Sequence, residues 1–301
     1  MSTIVVAGLY THETNLRVEG FPLPYYPVCF PFHGVRATHA GVGLNVSLAL
    51  SRLGHAVRFA SLIGEDETGA ALRSAMPGFG LDGRWLAESE SATSQSVILV
   101  APGGARQIHC DLKSLQSCAY PADQVSGLLE GADLAVVCNI NFARPLLAEA
   151  HRRGIPIATD VHALGDFDDA YNHDFMAAAD ILFLSDEALP CSAEQAIEAL
   201  RRRFAPAVIV VGLGARGALL AERGQPVQHV PAIAPRGVVN TVGAGDALFS
   251  AFLDQTLQGR SALAALRNAR VYAGIKVAYS GATQGLMDRE AFEAELAARD
   301  D

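Results

Sequence analysis

Six short apolar runs recur along the chain, and each is nearly continuous rather than alternating with polar residues. They are TIVVAG, AVRFASLIG, ADLAVVCNI, IPIATDV, ADILFLS and AVIVVGLG. Strands buried on both faces have this pattern, as in a parallel sheet covered by helices. Helical periodicity lies between several of them, as in NVSLALSRLG, RPLLAEAHRRG and SAEQAIEALRRRF. The alternation predicts an α/β fold with a doubly wound, mainly parallel central sheet flanked by helices, in one domain spanning residues 1–301.

Two segments interrupt this alternation. Residues 10–38 are rich in Pro, Tyr and His and have no helical period, and residues 92–113 have the pattern of a hairpin with PGG at its turn. The two segments either pair into a small β-sheet lid over one edge of the central sheet or form two surface loops.

Composition narrows the class of protein. The chain of 301 residues is 50% hydrophobic and carries a formal net charge of −9, which argues against binding to nucleic acid or to an anionic membrane surface. Its five cysteines form no CxxC pair, and no apolar run approaches the length of a membrane span. The N-terminus has no signal-peptide pattern. We therefore expect a cytoplasmic protein.

The stretch NTVGAGDALFSAFL, residues 240–253, points to specific chemistry. The residues GVVN that lead into it suit a short strand, and ALFSAFL suits a helix, so Gly243–Asp246 is predicted to lie at a helix N-terminus. Unpaired N–H groups there attract anions such as phosphate. A carboxylate beside a phosphate is either a general base or a helix cap, and the local motif alone leaves Asp246 open between the two.

The wider context changes this balance. NTVGAGDALFSAF resembles the second signature of the PfkB carbohydrate kinase family, which has the ribokinase-like fold, and AGVGLNVSLALSRLG resembles the first. SLIGEDETGAAL, VGLGARGALL and YAGIKVAYSGATQG resemble further family segments, in family order over almost the whole chain. The resemblance implies a kinase that transfers the γ-phosphate of ATP, with Mg²⁺, to a hydroxyl group. Asp246 is then the catalytic base, and the backbone of Gly243, Ala244 and Gly245 is the anion hole. It also favours the lid over two loops.

On the substrate side, the resemblance implies contacts from Gly41 and Asn45, although Asn45 could instead cap the following helix. Glu13 stands where the family usually carries a sugar-binding Asp, with Thr11 nearby; the alternative for Glu13 is a solvated loop carboxylate. On the nucleotide side, Gly212, Gly214 and Gly217 match family glycines or positions beside them, and Thr241 of the second signature is a further candidate. Arg216 could either reach the phosphates or point to water.

Three departures from the family pattern leave questions open. Asn240 replaces the first Asp of the second signature, in a region that holds a monovalent cation in many relatives, so a dependence on K⁺ is uncertain. Ala40 replaces one glycine of the first signature. Ser185 and Ala188 stand at the ends of a family N-x-x-E motif, which leaves Asp186 or Glu187 as substitutes, and no metal ligand is assigned.

The substrate is a sugar, a phosphosugar or, as the main rival, a nucleoside, whose base the aromatic lid segment could stack. A non-catalytic ligand-binding relative is a further alternative, although such a protein needs no base. A Rossmann dehydrogenase is excluded, because the first strand is not followed by G-x-G-x-x-G. The lid is also a candidate surface through which two copies of the chain form a homodimer.

Overall fold

A computed structural model describes residues 1–299. Residues 300 and 301, which the predicted domain includes, lie outside the described residues. The central sheet has nine strands in the order β13-β12-β11-β10-β9-β8-β1-β4-β5. They are β1 (Thr3–Ala7), β4 (Ala56–Gly64), β5 (Leu86–Ser89), β8 (Leu134–Val137), β9 (Ile157–Ala163), β10 (Ile181–Ser185), β11 (Val208–Gly212), β12 (Ala218–Glu222) and β13 (Gln228–Val230). Only β12 and β13 run antiparallel to their neighbours, so the predicted mainly parallel sheet is confirmed.

All six apolar runs form parallel strands of this sheet. The pattern did not predict β5, β12 or β13, which lie at the two edges. The short strand expected from Gly237 to Asn240 is not formed; these residues make an irregular loop in which the N–H groups of Val239 and Asn240 both donate to the carbonyl of Val277. These bonds satisfy two backbone donors without a sheet partner.

Helices cover both faces of the sheet. They are α1 (Val42–Arg52), α2 (Glu67–Ala75), α3 (Ala122–Leu128), α4 (Arg144–Arg152), α5 (His173–Ala178), α6 (Ala193–Phe204), α7 (Ala244–Leu257), α8 (Ala262–Lys276) and α9 (Arg289–Ala297). In β1, Ile4 and Val6 pack in the core beneath α1, α7 and α8, whereas Val5 and Ala7 pack in the core beneath α3 to α6. Burial on both faces explains why the apolar runs are continuous.

A second, separate sheet has four strands in the order β3-β2-β6-β7. They are β2 (Thr11–Arg17), β3 (Val35–Ala40), β6 (Gln95–Val100) and β7 (Arg106–Asp111). Its strands come from the two segments that interrupt the helix–strand alternation, and Pro102–Gly104 forms the turn between β6 and β7. A small cluster of Ala40 and Ile98 with Val242 and Ala282 packs this sheet against the loops beside α7.

The order of the central sheet reverses at β1. From β1 the chain proceeds to β4 and β5 on one side, and later continues from β8 on the other side. Ligands bind at such switch points, outside the carboxyl ends of the strands. Backbones are closely packed there: a side chain at Gly43 in α1 would lie 2.4 Å from the carbonyl carbon of Gly8, which follows β1. This contact brings α1 against the end of β1.

Candidate active site

The N-terminus of α7 opens into this region. Gly243 is the N-cap residue, in the left-handed region at φ 76°, and a Cβ there would lie 2.7 Å from the carbonyl oxygen of Ala282. Only glycine meets both constraints without strain. Ala244 and Gly245 form the first turn, and nothing lies within 4 Å of the side-chain position at Gly245. The N–H of Ala244 donates a 3.1 Å hydrogen bond to the carbonyl of Thr241. The N–H groups of Gly243 and Gly245 have no such bond among residues 1–299, so the turn still presents donors that suit an anion.

Asp246 lies in the same turn and is held by Asn45 of α1. The Nδ2 of Asn45 donates a 2.7 Å hydrogen bond to Oδ2 of Asp246, and these two residues are 201 positions apart in the sequence. Gly41, at φ 103°, is the N-cap residue of α1, so Asn45 lies inside the helix and does not cap it. Burial raises the pKa of Asp246, while the bond from Asn45 acts to lower it. A carboxylate with a raised pKa and a free oxygen is suited to accept a proton.

The inner face of β2 carries polar side chains. Thr11 and Glu13 are buried, and Glu13 accepts a 2.7 Å hydrogen bond from Nδ2 of Asn15. Burial raises the pKa of Glu13, and the charge of Asp246 raises it further. The two carboxylates are therefore close enough to interact electrostatically. The Oδ1 atoms of Asn15 and Asn45 are buried without a hydrogen-bond partner in the protein. Such acceptors are costly unless a ligand donates to them.

Four of the five residues predicted for the nucleotide lie at or after the end of β11, in another part of the site, whereas Thr241 lies in the loop before α7. Gly212 ends that strand, Gly214–Arg216 forms a short turn, and Gly217 has φ 105°. Among residues 1–299, no hydrogen bond or ion pair joins this group to Asp246. Arg216 instead pairs with Asp186, which follows β10.

Arg106 of the small sheet connects the two parts. It donates a 2.8 Å hydrogen bond to Oγ1 of Thr241, and its guanidinium lies 3.6 Å from Glu187. Thr241 in turn donates to the carbonyl of Gly104 at the hairpin turn. The small sheet therefore contacts the loop that leads into α7.

The comparison with protein families is decisive about the class of protein. The pfkB family of carbohydrate kinases matches residues 1–289. This chain belongs to the PfkB family. The resemblance read from the two signatures is thus confirmed, as is the ribokinase-like fold.

Similar proteins are known within the PfkB family. The chain is 27% identical to an acarbose 7(IV)-phosphotransferase from an Actinoplanes species, over 96% of each chain. Its structure is similar to that of a microbiome-derived acarbose kinase, Mak1, with a TM-score of 0.88 and 26% identity over 98% of this chain and 99% of that one. A Burkholderia thailandensis nucleoside kinase in complex with inosine has a TM-score of 0.81 at 18% identity, over 100% and 99% of the chains, which shows a shared fold. The chain is a carbohydrate or nucleoside kinase of this family.

Sequence reasoning missed a charged pair at the end of β9. Asp160 and His162 flank a β-bulge, because β9 advances three residues to Ala163 where β10 advances two to Ser185. His162 has φ 58°, its N–H donates to Asp160 at 2.8 Å, and its Nδ1 lies 3.5 Å from the same carboxylate. Burial acts to lower the pKa of His162, but the charge of Asp160 raises it to about 9, and Asp246 raises it too. The polar DVH ending of an apolar run was the available signal.

Lys276 and Arg106 were also missed as candidate site residues. Lys276 ends α8, is fully buried, and donates a hydrogen bond to the carbonyl of Val242. A lysine within the apolar stretch VYAGIKVAY was its only signal.

Among residues 1–299, no three His, Cys, Asp or Glu side chains form a group that could hold a metal ion. Within the same part of the chain, no helix combines the length and apolarity that crossing a membrane requires.

Proposed function

We propose that this protein transfers the γ-phosphate of ATP to a hydroxyl group of a sugar or sugar-like molecule, with Asp246 as the general base. The observation that carries the proposal is the position of Asp246 in the first turn of α7, beside open helix N–H groups and with one hydrogen bond from Asn45. Asp246 takes the proton of the attacking hydroxyl, and the turn Gly243–Gly245 binds the charge on the transferring phosphoryl group through the N–H groups of Gly243 and Gly245. The N–H of Ala244, which the sequence also assigns to the anion hole, joins them only if it leaves the carbonyl of Thr241.

Positive charge near this turn supports phosphoryl transfer. His162, whose pKa is raised to about 9, is protonated at neutral pH, and its charge acts on Asp246. It offsets part of the repulsion between the carboxylates and an incoming phosphate. It also acts to lower the pKa of Asp246, against the effect of burial.

The polar face of β2 supports a polyhydroxylated acceptor. Glu13 and Thr11 offer oxygens to hydroxyl groups, and the unpartnered Oδ1 atoms of Asn15 and Asn45 each need a donor. Sugar hydroxyls supply such donors, and a buried acceptor that loses its partner discriminates strongly against the wrong compound. Because two similar proteins are named for acarbose, that oligosaccharide analogue is the first acceptor to test. A nucleoside acceptor is the second candidate, since it also carries hydroxyls.

ATP is the donor used by ribokinase-family kinases. We place its phosphates between Gly243–Gly245 and the Gly212–Gly217 turn, where Arg216 and Arg106 supply positive charge. Mg²⁺ accompanies ATP, because this ion usually binds through substrate phosphates with one or two carboxylates. Asp186 and Glu187 are the carboxylates that this part of the site offers.

The test is an ADP-release screen with MgATP against acarbose, maltooligosaccharides, monosaccharides, phosphosugars and nucleosides, with Asp246→Asn as the matched control. We expect one acceptor class to give turnover that the variant lacks. Turnover that Asp246→Asn retains would contradict the role of the base. If no acceptor is phosphorylated but a ligand binds by calorimetry, the protein is the non-catalytic relative instead.

We further propose that the small sheet serves as a lid and that two copies pair through it. Its long connection between β2 and β3 exposes an unusual number of large apolar side chains: Phe21, Leu23, Tyr25, Tyr26, Val28, Phe30 and Phe32. Patches of this kind mark interaction surfaces. Sedimentation of the wild type against Phe30→Asp/Phe32→Asp tests the dimer, which the double variant is expected to disrupt. Amide exchange of residues 10–38 and 92–113 with and without acceptor tests closure. The cytoplasmic location stays a prediction.

A further inference from the structure

Lys276 is one of only two lysines in the chain and is fully buried at the end of α8. Lysines are almost never fully buried unless a partner compensates the charge. The partner here is the backbone carbonyl of Val242, to which Nζ donates. Val242 immediately precedes Gly243, the N-cap residue of α7, so a buried cation lies directly beneath the proposed anion hole.

The peptide group between Val242 and Gly243 gives this contact a direction. The carbonyl and the N–H of a trans peptide point in opposite directions in one plane. Because the carbonyl of Val242 faces Lys276, the N–H of Gly243 is turned away from it, toward the open side of the loop. The ammonium thereby fixes the orientation of one donor of the proposed anion hole.

Asn240 fixes the rest of the loop in the same manner. Its Oδ1 accepts a 2.9 Å hydrogen bond from the N–H of Val242, and its Nδ2 donates a 2.7 Å hydrogen bond to the carbonyl of Ser280. Asn240 is buried. An aspartate here could not donate to the carbonyl of Ser280, so the neutral amide satisfies a group that a carboxylate would leave unpaired.

These contacts do not fit a site for a monovalent cation, which the family resemblance implies for this region. Such a cation is bound by several oxygen atoms that are free to coordinate it. In this chain the carbonyl of Val242 binds an ammonium, the carbonyl of Ser280 binds an amide N–H, and residue 240 carries no charge. Added K⁺ would have to displace donors that belong to the protein.

We propose that the ammonium of Lys276 replaces a dissociable monovalent cation beneath the anion-hole loop, so that this kinase turns over without K⁺. Lys276 is a positioning residue in this proposal, which rests on the proposed role of Gly243–Gly245. A tethered cation is present at full occupancy whatever the ionic composition of the medium.

The charges around Lys276 agree with this role. Burial lowers its pKa to about 8, the carboxylates of Asp246 on α7 and Glu13 on β2 act to raise it, and Arg106 on β7 lowers it further. The ammonium therefore persists at neutral pH and is lost as the pH rises through about 8. In the unfolded chain the lysine keeps its proton up to about 10.5, so this group makes the folded state more stable, relative to the unfolded chain, as the pH rises through the same range.

The experiment compares the wild type with Lys276→Met, which keeps the length of the side chain without its charge, and with Lys113→Met, a matched control at the only other lysine. The turnover number is measured in tetramethylammonium, Na⁺ and K⁺ media at one ionic strength. We expect the wild type and Lys113→Met to be insensitive to the cation. Lys276→Met is expected to lose about 10- to 100-fold in kcat, somewhat less than the removal of one anion-hole donor costs.

A wild-type kcat that rises several-fold with K⁺ would overturn the proposal, as would a folded Lys276→Met that keeps its kcat. The pH profile gives a second readout, which remains informative if the variant fails to fold. In the wild type, kcat should fall as the pH rises through about 8, because Lys276 loses its proton. The free energy of unfolding in urea should increase over the same pH range. A purely structural lysine would leave kcat unchanged. If the proposed function itself is wrong, the wild type phosphorylates no acceptor in any medium, and this outcome is distinct from all the others.

Discussion

Helix α7 carries two aspartates eight residues apart, and their surroundings differ sharply. Asp254 is fully buried and accepts hydrogen bonds from four side chains, His55, Gln255, Gln258 and Arg289. Asp246 is half-buried at the other end of the helix, where Asn45 is the only side chain among residues 1–299 that donates to its carboxylate.

The pKa values of these two carboxylates shift in opposite directions. Burial acts to raise both, but at Asp254 the bonds from His55, Gln255 and Arg289 outweigh it, and the pKa falls below its usual value. At Asp246 burial prevails and the pKa rises. A carboxylate whose lone pairs are all occupied stabilises the fold, whereas one that is left under-satisfied is available to accept a proton.

The largest effect is expected from Asp246→Asn. The change is nearly isosteric and removes the base, so kcat should fall about 10²- to 10⁴-fold while ATP binding survives. The free energy of unfolding should not decrease, because the variant no longer ionises a carboxyl group whose charged form burial disfavours. Steady-state kinetics measures the loss of kcat, and urea unfolding measures the free energy of unfolding. Near-normal turnover would leave Asp246 as a helix N-terminal residue without a chemical role.

The same substitution at Asp254 is expected to act on stability instead. Asp254→Asn leaves His55 and Arg289 without their carboxylate, and breaking a buried pair of this kind costs about 3–5 kcal/mol of unfolding free energy. The kcat of the folded enzyme should stay within a few-fold of the wild type. A large loss of kcat with little loss of stability would mean that the two ends of α7 are not functionally distinct.

Sequence reasoning treated these two residues very differently. Asp246 could be predicted because Gly-Ala-Gly precedes it and a helix follows, which are local features. Nothing local marks Asp254, because two of its partners are distant in sequence: His55 immediately precedes β4 and Arg289 begins α9. Asn45 could be named as a candidate site residue, but its bond to Asp246, which joins positions 201 residues apart, could not be predicted.

The fold was more predictable than the site for the same reason. Continuous apolar runs identify strands that are buried on both faces, and each run carries this information by itself. The edge strands β12 and β13 lacked that signal. The β-bulge that turns His162 toward the site depends on the register between β9 and β10, and the contact of Lys276 with Val242 depends on the packing of α8 against the loop before α7. Neither has a pattern within one segment.

Asn45→Ala sharpens the comparison by removing the single donor from Asp246. We expect a fall in kcat/KM for the true substrate that corresponds to about 2–4 kcal/mol, on the scale of hydrogen bonds to charged groups, because the bond that holds the base and one contact with the substrate are lost together. The KM for ATP should stay within a few-fold. Ser47→Ala is the matched control, because Ser47 lies on the same helix and its hydroxyl donates to the carbonyl of Gly43. If both variants bind and turn over the acceptor equally well, the substrate site lies elsewhere.

The smallest effect is the response of stability to pH, which should separate the two aspartates without any substrate. In unfolded chains both have a pKa near 3.8. The folded pKa of Asp254 is lower than 3.8. The stability that its charge contributes is therefore complete above pH 3.8 and is lost only as the pH falls below that value. The difference in unfolding free energy between the wild type and Asp254→Asn should be constant from about pH 5 to 7. The folded pKa of Asp246 is raised, so ionisation costs stability as the pH rises from 3.8 through the folded value. Asp246→Asn should therefore gain on the wild type over that interval, with a slope no steeper than about 1.4 kcal/mol per pH unit for one proton. Urea unfolding of the three proteins at several pH values measures both gaps. Parallel curves for Asp246→Asn and the wild type would mean that Asp246 has an ordinary pKa, and that its single hydrogen bond from Asn45 already compensates its burial.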